Sequence, residues 1–283
     1  VNLLDVPAVS SSSEVALRVA YQKAPDVAEK RLVFQIEMRR TDNDAVLDAV
    51  TLDNQGHGYT GASGEIPCAL TLPVDPALGS VYFFARVCPW SLNRAIVTQY
   101  KSYPTDGTYT YSWTSGSYGV TQDLYYLGTL IAPTNAAHTT YCSGITFETF
   151  MKAYETYNTA WGHSQIGTMS TGQQMKNFRL VWYGVTDADR LSAKAISDYA
   201  LGEQITDWEE MQEGDIVQIW RHSGSGHSVI FVSWVRDVSQ VITGFNYWST
   251  QTSTNGIGYR SESFGETSGV NPARFWPARL RKP

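Results

Sequence analysis

The stretch "AAHTTYCSGITFETFMKAYETYN", residues 136–158, places a cysteine between a polar run and an amphipathic pattern. Phe147, Phe150, Met151, Tyr154 and Tyr157 recur at offsets of 3, 4, 7 and 10, the spacing of one face of an α-helix. Cys142 and Ser143 therefore belong to the first turn of that helix. The free N–H groups and the positive dipole end there favour a thiolate, and they can donate to an oxyanion formed when the sulfur attacks a carbonyl. A small buried apolar residue would look the same in isolation, so the rest of the chain has to supply a base.

The 283 residues allow one large or two ordinary domains, and the balance of 42% hydrophobic to 17% charged residues is that of globular chains. A net charge of −6 without a basic stripe excludes a general nucleic-acid binder, and no apolar run is long enough for a membrane span. The basic "PARLRKP" at the end reads as a solvated tail. The start, "VNLLDVPAVSSSSEV", lacks Met and fits a processed export signal. With low Lys and abundant Tyr, Trp, Ser, Thr and Gly, this leads to the expectation of an extracellular or periplasmic protein. Cys68 and Cys88 sit in strand-like runs, as a disulfide or as two buried thiols. Cys142 has no evident partner.

Two textures divide the chain. "EVALRVAYQ", "KRLVFQIEMRR", "DAVLDAVTLD", "EIPCALTLPV", "GSVYFFARVCPW" and "RAIVTQYKSY" alternate apolar and polar residues between turn-forming clusters, which predicts an antiparallel β-sandwich. His57 falls in a Gly-rich turn there and reads as a loop residue. The Gly/Ser/Thr/Tyr-rich segment 104–122 is the candidate linker, with the boundary near residue 113, giving a sandwich over 1–113 and a second domain over 114–283. The second domain predicts helices over 144–158, after Ser170 or Thr171, and from Asp187 or Asp189 to Gly202. Strands follow in "DIVQIWR", "SVIFVSWVRD", "QVITGFNYWS" and "IGYRSESF". Helices followed by an antiparallel sheet make an α+β arrangement.

The candidate base is His227, which opens the apolar strand after the loop "RHSGSGH". A base needs a partner on its other nitrogen. The strand "VITGFNYWS", folding back through "RDVSQ", offers Asn246, with Gln251 as the fallback. His222 competes as base but precedes the glycine loop, and Asp215 reads as a turn or supporting residue. His138, Cys142, His163 and His227 could be weighed as metal ligands, but no paired ligand spacing accompanies them, so no metal is expected. Among Tyr141, Trp161, Trp220, Tyr247 and Trp248, those adjoining the candidate site, Tyr141 and Trp248, are the expected substrate contacts together with Ser143.

"YCSG" opening a helix, "GDIV" on a strand, "GH" opening the next strand and a polar residue on the third resemble the NlpC-type and CHAP cell-wall peptidases of the papain-like superfamily. The resemblance spans about residues 120–260. It implies a papain-like (NlpC-type) α+β domain with an antiparallel sheet and no cofactor. It implies Cys142 as nucleophile, His227 as base and acid, and Asn246 at the position where CHAP members carry an Asn. Gly244 stands where those families carry an acidic residue, and helical segments over 159–210 are additional. The implied activity is hydrolysis of amide bonds, with peptidoglycan or another peptide as substrate. The sandwich would be a module for a glycan or cell-surface ligand. An inactive papain-like scaffold serving binding alone, or a Cys–His acyltransferase, are the competing readings.

Overall fold

The computed structural model describes residues 2–4, 14–22, 32–41, 46–52, 63–71, 81–89, 92–114, 116–161, 163–186 and 189–281. His57 and Asp187 lie outside them. The chain divides into two compact units, Val1–Trp90 and Ser91–Pro283.

In the first unit, β1 (Asn2–Leu4), β2 (Glu14–Gln22) and β5 (Ser63–Thr71) form one three-stranded sheet. β3 (Leu32–Arg40), β4 (Val46–Leu52) and β6 (Val81–Pro89) form a second, and all pairings are antiparallel. Val15, Leu17, Val19 and Tyr21 of β2 are buried while their neighbours are not, as period 2 requires of a strand with one covered face. They share one core with Phe34, Ile36 and Met38 of β3 and with Ile66 and Leu70 of β5. Cys68, on β5, packs against that core as a free thiol, and burial pushes its pKa up.

The segment read as the sixth strand, "RAIVTQYKSY", is instead helix α1 (Leu92–Lys101), and it belongs to the second unit. Leu92, Ala95, Ile96 and Tyr100 are buried at helical spacing. The run Ile96–Val97–Thr98 gives a β-branched look that tertiary packing overrides. The boundary therefore falls at Trp90–Ser91, not near residue 113, because α1 packs on α2 (Cys142–Trp161).

The second unit also contains β7 (Thr110–Tyr111), β8 (Leu124–Tyr126), β9 (Thr129–Ala132) and β10 (Thr139–Thr140) ahead of α2. After α2 come α3 (Gly172–Trp182), α4 (Leu191–Asp198), β11 (Gly202–Gln204), β12 (Ile216–Arg221), β13 (Gly226–Arg236), β14 (Ile242–Gln251), β15 (Gly256–Ser263) and β16 (Val270–Leu280). Thr171 caps α3 through a capping box with Gln174. The main sheet is antiparallel with strand order β11-β16-β12-β13-β14-β15. Phe147 and Phe150 of α2 meet Phe178 and Trp182 of α3 in one aromatic core, with Tyr154 against Phe150. Val217, Val229, Phe231, Phe245 and Phe275 form another. The C-terminal segment is not a solvated tail. β16 fills the sheet between β11 and β12; its Arg274 and Arg279 pair with Asp189 and Asp215, and Arg281 just after it pairs with Glu203.

Candidate active site

Helix α2 begins at Cys142, and its first closed turn is the bond from Ile145 N–H to Tyr141 O, 3.0 Å. The N–H groups of Cys142, Ser143 and Gly144 precede that bond and have no partner inside the helix. A loop holds this end in place. Gly119, at φ +63°, lies against the Tyr141 ring, and a Cβ on Gly144 would stand 2.3 Å from the carbonyl oxygens of both Tyr118 and Gly119. Residue 144 must therefore be glycine for the loop to close on the helix. Buried Glu148, two turns along α2, accepts from the Thr121 N–H and hydroxyl, both at 2.6 Å, and fixes the loop's far end. Glu148 sits among apolar residues on a helix face, so no local pattern marks it for this role.

His227 reaches the sulfur from the first residues of β13. The strand start is held by a buried polar chain. Ser228 Oγ donates to Gln218 Oε1 at 2.6 Å, and Ser249 Oγ donates to Ser228 O at 2.7 Å, tying β12, β13 and β14 together. Cys142 is half-buried as a residue, with its sulfur enclosed between the His227 ring, the Ser228 N–H and the Ser143 hydroxyl 4.0 Å away. Enclosure pushes the thiol up. The imidazole, by its charge and by hydrogen bonding, pulls it down, and the Ser228 N–H and Ser143 add to that, leaving the group lowered to about 7.

The partner of the His227 imidazole is Gln251, not Asn246. His227 Nε2 lies 2.8 Å from Gln251 Oε1, both side chains being buried. Gln251 Nε2 donates to Thr254 Oγ1 at 2.9 Å, which turns its carbonyl toward the ring. Nε2 thus carries its proton to Gln251, and Nδ1 is the nitrogen left for the sulfur. Asn246 pairs with Ser233, six residues along β13 from His227 and roughly 20 Å away at 3.3 Å per residue. Its amide bonds Ser233 and Ser261 there.

Two expected substrate contacts also fall elsewhere. Tyr141 is buried, with its hydroxyl donating to Ser117 O at 2.7 Å and its ring against Tyr183. Trp248 is fully buried against Tyr100 and Tyr103. Both adjoin site residues in sequence but point into packing. Ser143 stays beside the sulfur. His222 is occupied by Gly265 O at 2.8 Å, and His163 stacks on Tyr157. Asp215 is buried under a two-pronged bond from Arg279, with Asn93 and the Gln212 N–H as further donors. Among the described residues no group of three His, Cys, Asp or Glu side chains converges as a metal site.

One residue near the sulfur was missed. Tyr111, on β7, has its hydroxyl pushed up by burial and then by the nearby Cys142 charge, with Arg221 acting the other way. Its approach depends on β7 pairing in parallel with β10, Tyr111 opposite Thr140, a contact between segments that read as linker and polar run. Beneath the imidazole, the Tyr247 ring meets His227 edge-on at 5.7 Å, and its hydroxyl donates to Glu262, which Arg221 grips. Comparisons with protein-family models, with curated proteins and with solved structures returned no match.

Proposed function

We propose that the second unit is a papain-like cysteine amidase or peptidase in which Cys142 is the nucleophile, His227 the general base and acid, and Gln251 the group that holds the imidazole. The observation that carries this reading is a sulfur at a helix N-terminus facing an imidazole whose other nitrogen is already bound to a buried amide. The thiolate adds to the amide carbonyl. The oxyanion is met by the unpaired N–H groups at the start of α2, with the Tyr111 hydroxyl at its side. His227 passes its proton to the leaving amine as the thioester forms. It then takes a proton from water, which attacks the thioester and releases the acid. No cofactor enters this sequence.

The proposed substrates are the amide bonds of bacterial cell-wall peptidoglycan, cleaved outside the cytoplasm, with the sandwich of the first unit serving as the module that holds the wall. This extension rests on the resemblance of "YCSG", "GDIV" and "GH" to cell-wall peptidases. The test is incubation of purified peptidoglycan with wild type and with Cys142→Ala. New amino groups released by the wild type alone are expected. Equal release, or none from either, would refute the assignment. Amine incorporated into the product in place of water would convert it to acyl transfer.

A further inference from the structure

The run "YRSES", residues 259–263, makes up the second half of β15, which pairs with β14 on one side and, among the described residues, with no strand on the other. The register decides which of its backbone groups face outward. Phe264 N–H donates at 2.9 Å to the carbonyl oxygen of Thr243, the residue directly opposite it when the β14–β15 register is carried one step further. The even-numbered residues of β15 therefore exchange their bonds with β14. The N–H and C=O groups of Tyr259 and Ser261 point away from the sheet, and no bond to them is found among the described residues. Gly256, Ile257 and Gly258 are buried, whereas Tyr259, Arg260, Ser261 and Ser263 are exposed. An uncovered edge of this kind is a template for a further strand.

The order of charges along the edge selects the occupant. Arg260 and Glu262 share one face of β15, and Tyr259, Ser261 and Ser263 share the other. Arg260 bonds only the Ser253 hydroxyl, at 2.7 Å, and forms no ion pair among the described residues. Glu262 accepts from two Arg221 nitrogens and from the Tyr247 hydroxyl, three of the roughly four bonds a carboxylate can take. A second copy of β15, laid antiparallel with its Ser261 opposite this one, sets each Arg260 against Glu262 of the other copy. Ser261 is then a hydrogen-bonded pair that uses the outward groups of both strands. Arg260 and Glu262 fall at the non-hydrogen-bonded positions, where facing side chains come closest. Tyr259, 50% exposed beyond its contact with Tyr100, meets the small Ser263 of the second copy. Moving this register by two residues either way sets Arg260 against Arg260 or Glu262 against Glu262, and a parallel in-register pairing stacks like charges as well. The charges thus admit one closed, two-fold arrangement and oppose open-ended stacking. We infer that β15 is a homodimer interface, through which two copies of this chain join edge to edge about a two-fold axis at Ser261 into one continuous sheet. This dimer does not depend on the function proposed above.

The experiment is sedimentation velocity of the full chain from about 1 to about 200 μM, the range in which edge-to-edge contacts of modest area associate. A species of twice the 31.4 kDa chain mass is expected to grow with concentration. Ser261→Pro, which removes the central outward N–H at a position where an edge strand tolerates proline, should leave only monomer, with a thermal transition matching that of the parent. Arg260→Glu, which sets two carboxylates face to face and touches no packed side chain, should weaken the dimer at least tenfold and serves as the test should the proline variant not fold. The register is read by mild oxidation. Ser261→Cys should give a disulfide-linked dimer that wild type does not, whereas Ser263→Cys, about 13 Å from its own copy at 3.3 Å per residue, should not. A chain that stays monomeric throughout, a dimer indifferent to both Ser261→Pro and Arg260→Glu, or cross-linking through residue 263 in preference to 261, overturns the inference.

Discussion

Replacing His227 with alanine should change not only how fast Cys142 is alkylated but how that rate depends on pH. With the imidazole present the thiol is lowered to about 7. Without it the value returns at least to the ordinary thiol range near 8.5, and enclosure raises it further. At pH 6 the thiolate fraction is then about 9% in the wild type and about 0.3% in the variant, roughly a thirtyfold loss. A less acidic thiol is the stronger nucleophile. With a Brønsted coefficient of about 0.45, a rise of about 1.5 pH units returns about fivefold. The net loss at pH 6 is therefore about sixfold. At pH 9 both thiols are mostly ionised, and the variant should react about three- to fourfold faster. The two profiles cross. The assay is iodoacetamide labelling from pH 5.5 to 9.5 read by peptide-resolved mass spectrometry, with Cys68, whose thiol is pushed up by burial, as internal reference. Coincident midpoints in wild type and His227→Ala would refute the coupling of sulfur and imidazole on which the catalytic reading stands.

Three further outcomes follow from the same geometry. Gln251→Ala removes a buried hydrogen bond to an imidazole that becomes charged, about 1.5–3 kcal/mol, and should lower amide hydrolysis roughly 10- to 150-fold. Asn246→Ala, remote from the ring, should stay within about threefold, and equal losses would refute the register of β13 and β14. Asp215→Ala strands Arg279, and a loss of about 3 kcal/mol should lower Tm by roughly 6–12 °C in a thermal melt, while an unchanged Tm would contradict the buried pair. A chain starting at Ser91 should melt cooperatively, whereas one starting at residue 114 lacks α1 and the Asn93 bond to Asp215 and should not; indifference to α1 would contradict the boundary at residues 90–91.

What the sequence made legible follows from which signals are local. The α2 stripe, the alternation in β2 and β3, and the Thr171 cap are each decided within a dozen residues, and the structure has them where the pattern puts them. Non-local contacts defeated the rest. β16 carries Pro272, Arg274, Pro277 and Arg279, with Arg281 and Lys282 following in the sequence, and it reads as a tail until β11 and β12 pair with it. The choice between Asn246 and Gln251 was in principle available. A hairpin centred near Ser239 sends residue 227 opposite residue 251, and Ile230 opposite Trp248 follows the same sum. Asn246 and Gln251 lie on opposite faces of β14, which runs unbroken from Gly244 to Gln251, so the register that sets residue 227 opposite 251 turns Asn246 to the other face. Tyr111 had no signal of its own, since only the parallel pairing with Thr140 brings it to the sulfur.

The site works by opposing two effects that come from different parts of the fold. Burial at the start of α2, where the Tyr118–Gly119 loop closes on Gly144, resists ionisation of the sulfur by desolvation. The β13 start, locked by Gln218, Ser228 and Ser249, brings in an imidazole and an N–H group that favour it. A sulfur exposed to water beside the same histidine would ionise more readily but attack more weakly, because nucleophilicity falls with the pKa. A sulfur enclosed without the histidine would attack strongly but seldom be ionised. Balanced at about 7, the thiol is half ionised near neutral pH, close to where the product of thiolate fraction and reactivity peaks. Helix start and strand start must therefore be held independently and to within a fraction of an ångström of each other, which explains why the buried polar groups of this unit concentrate at those two ends.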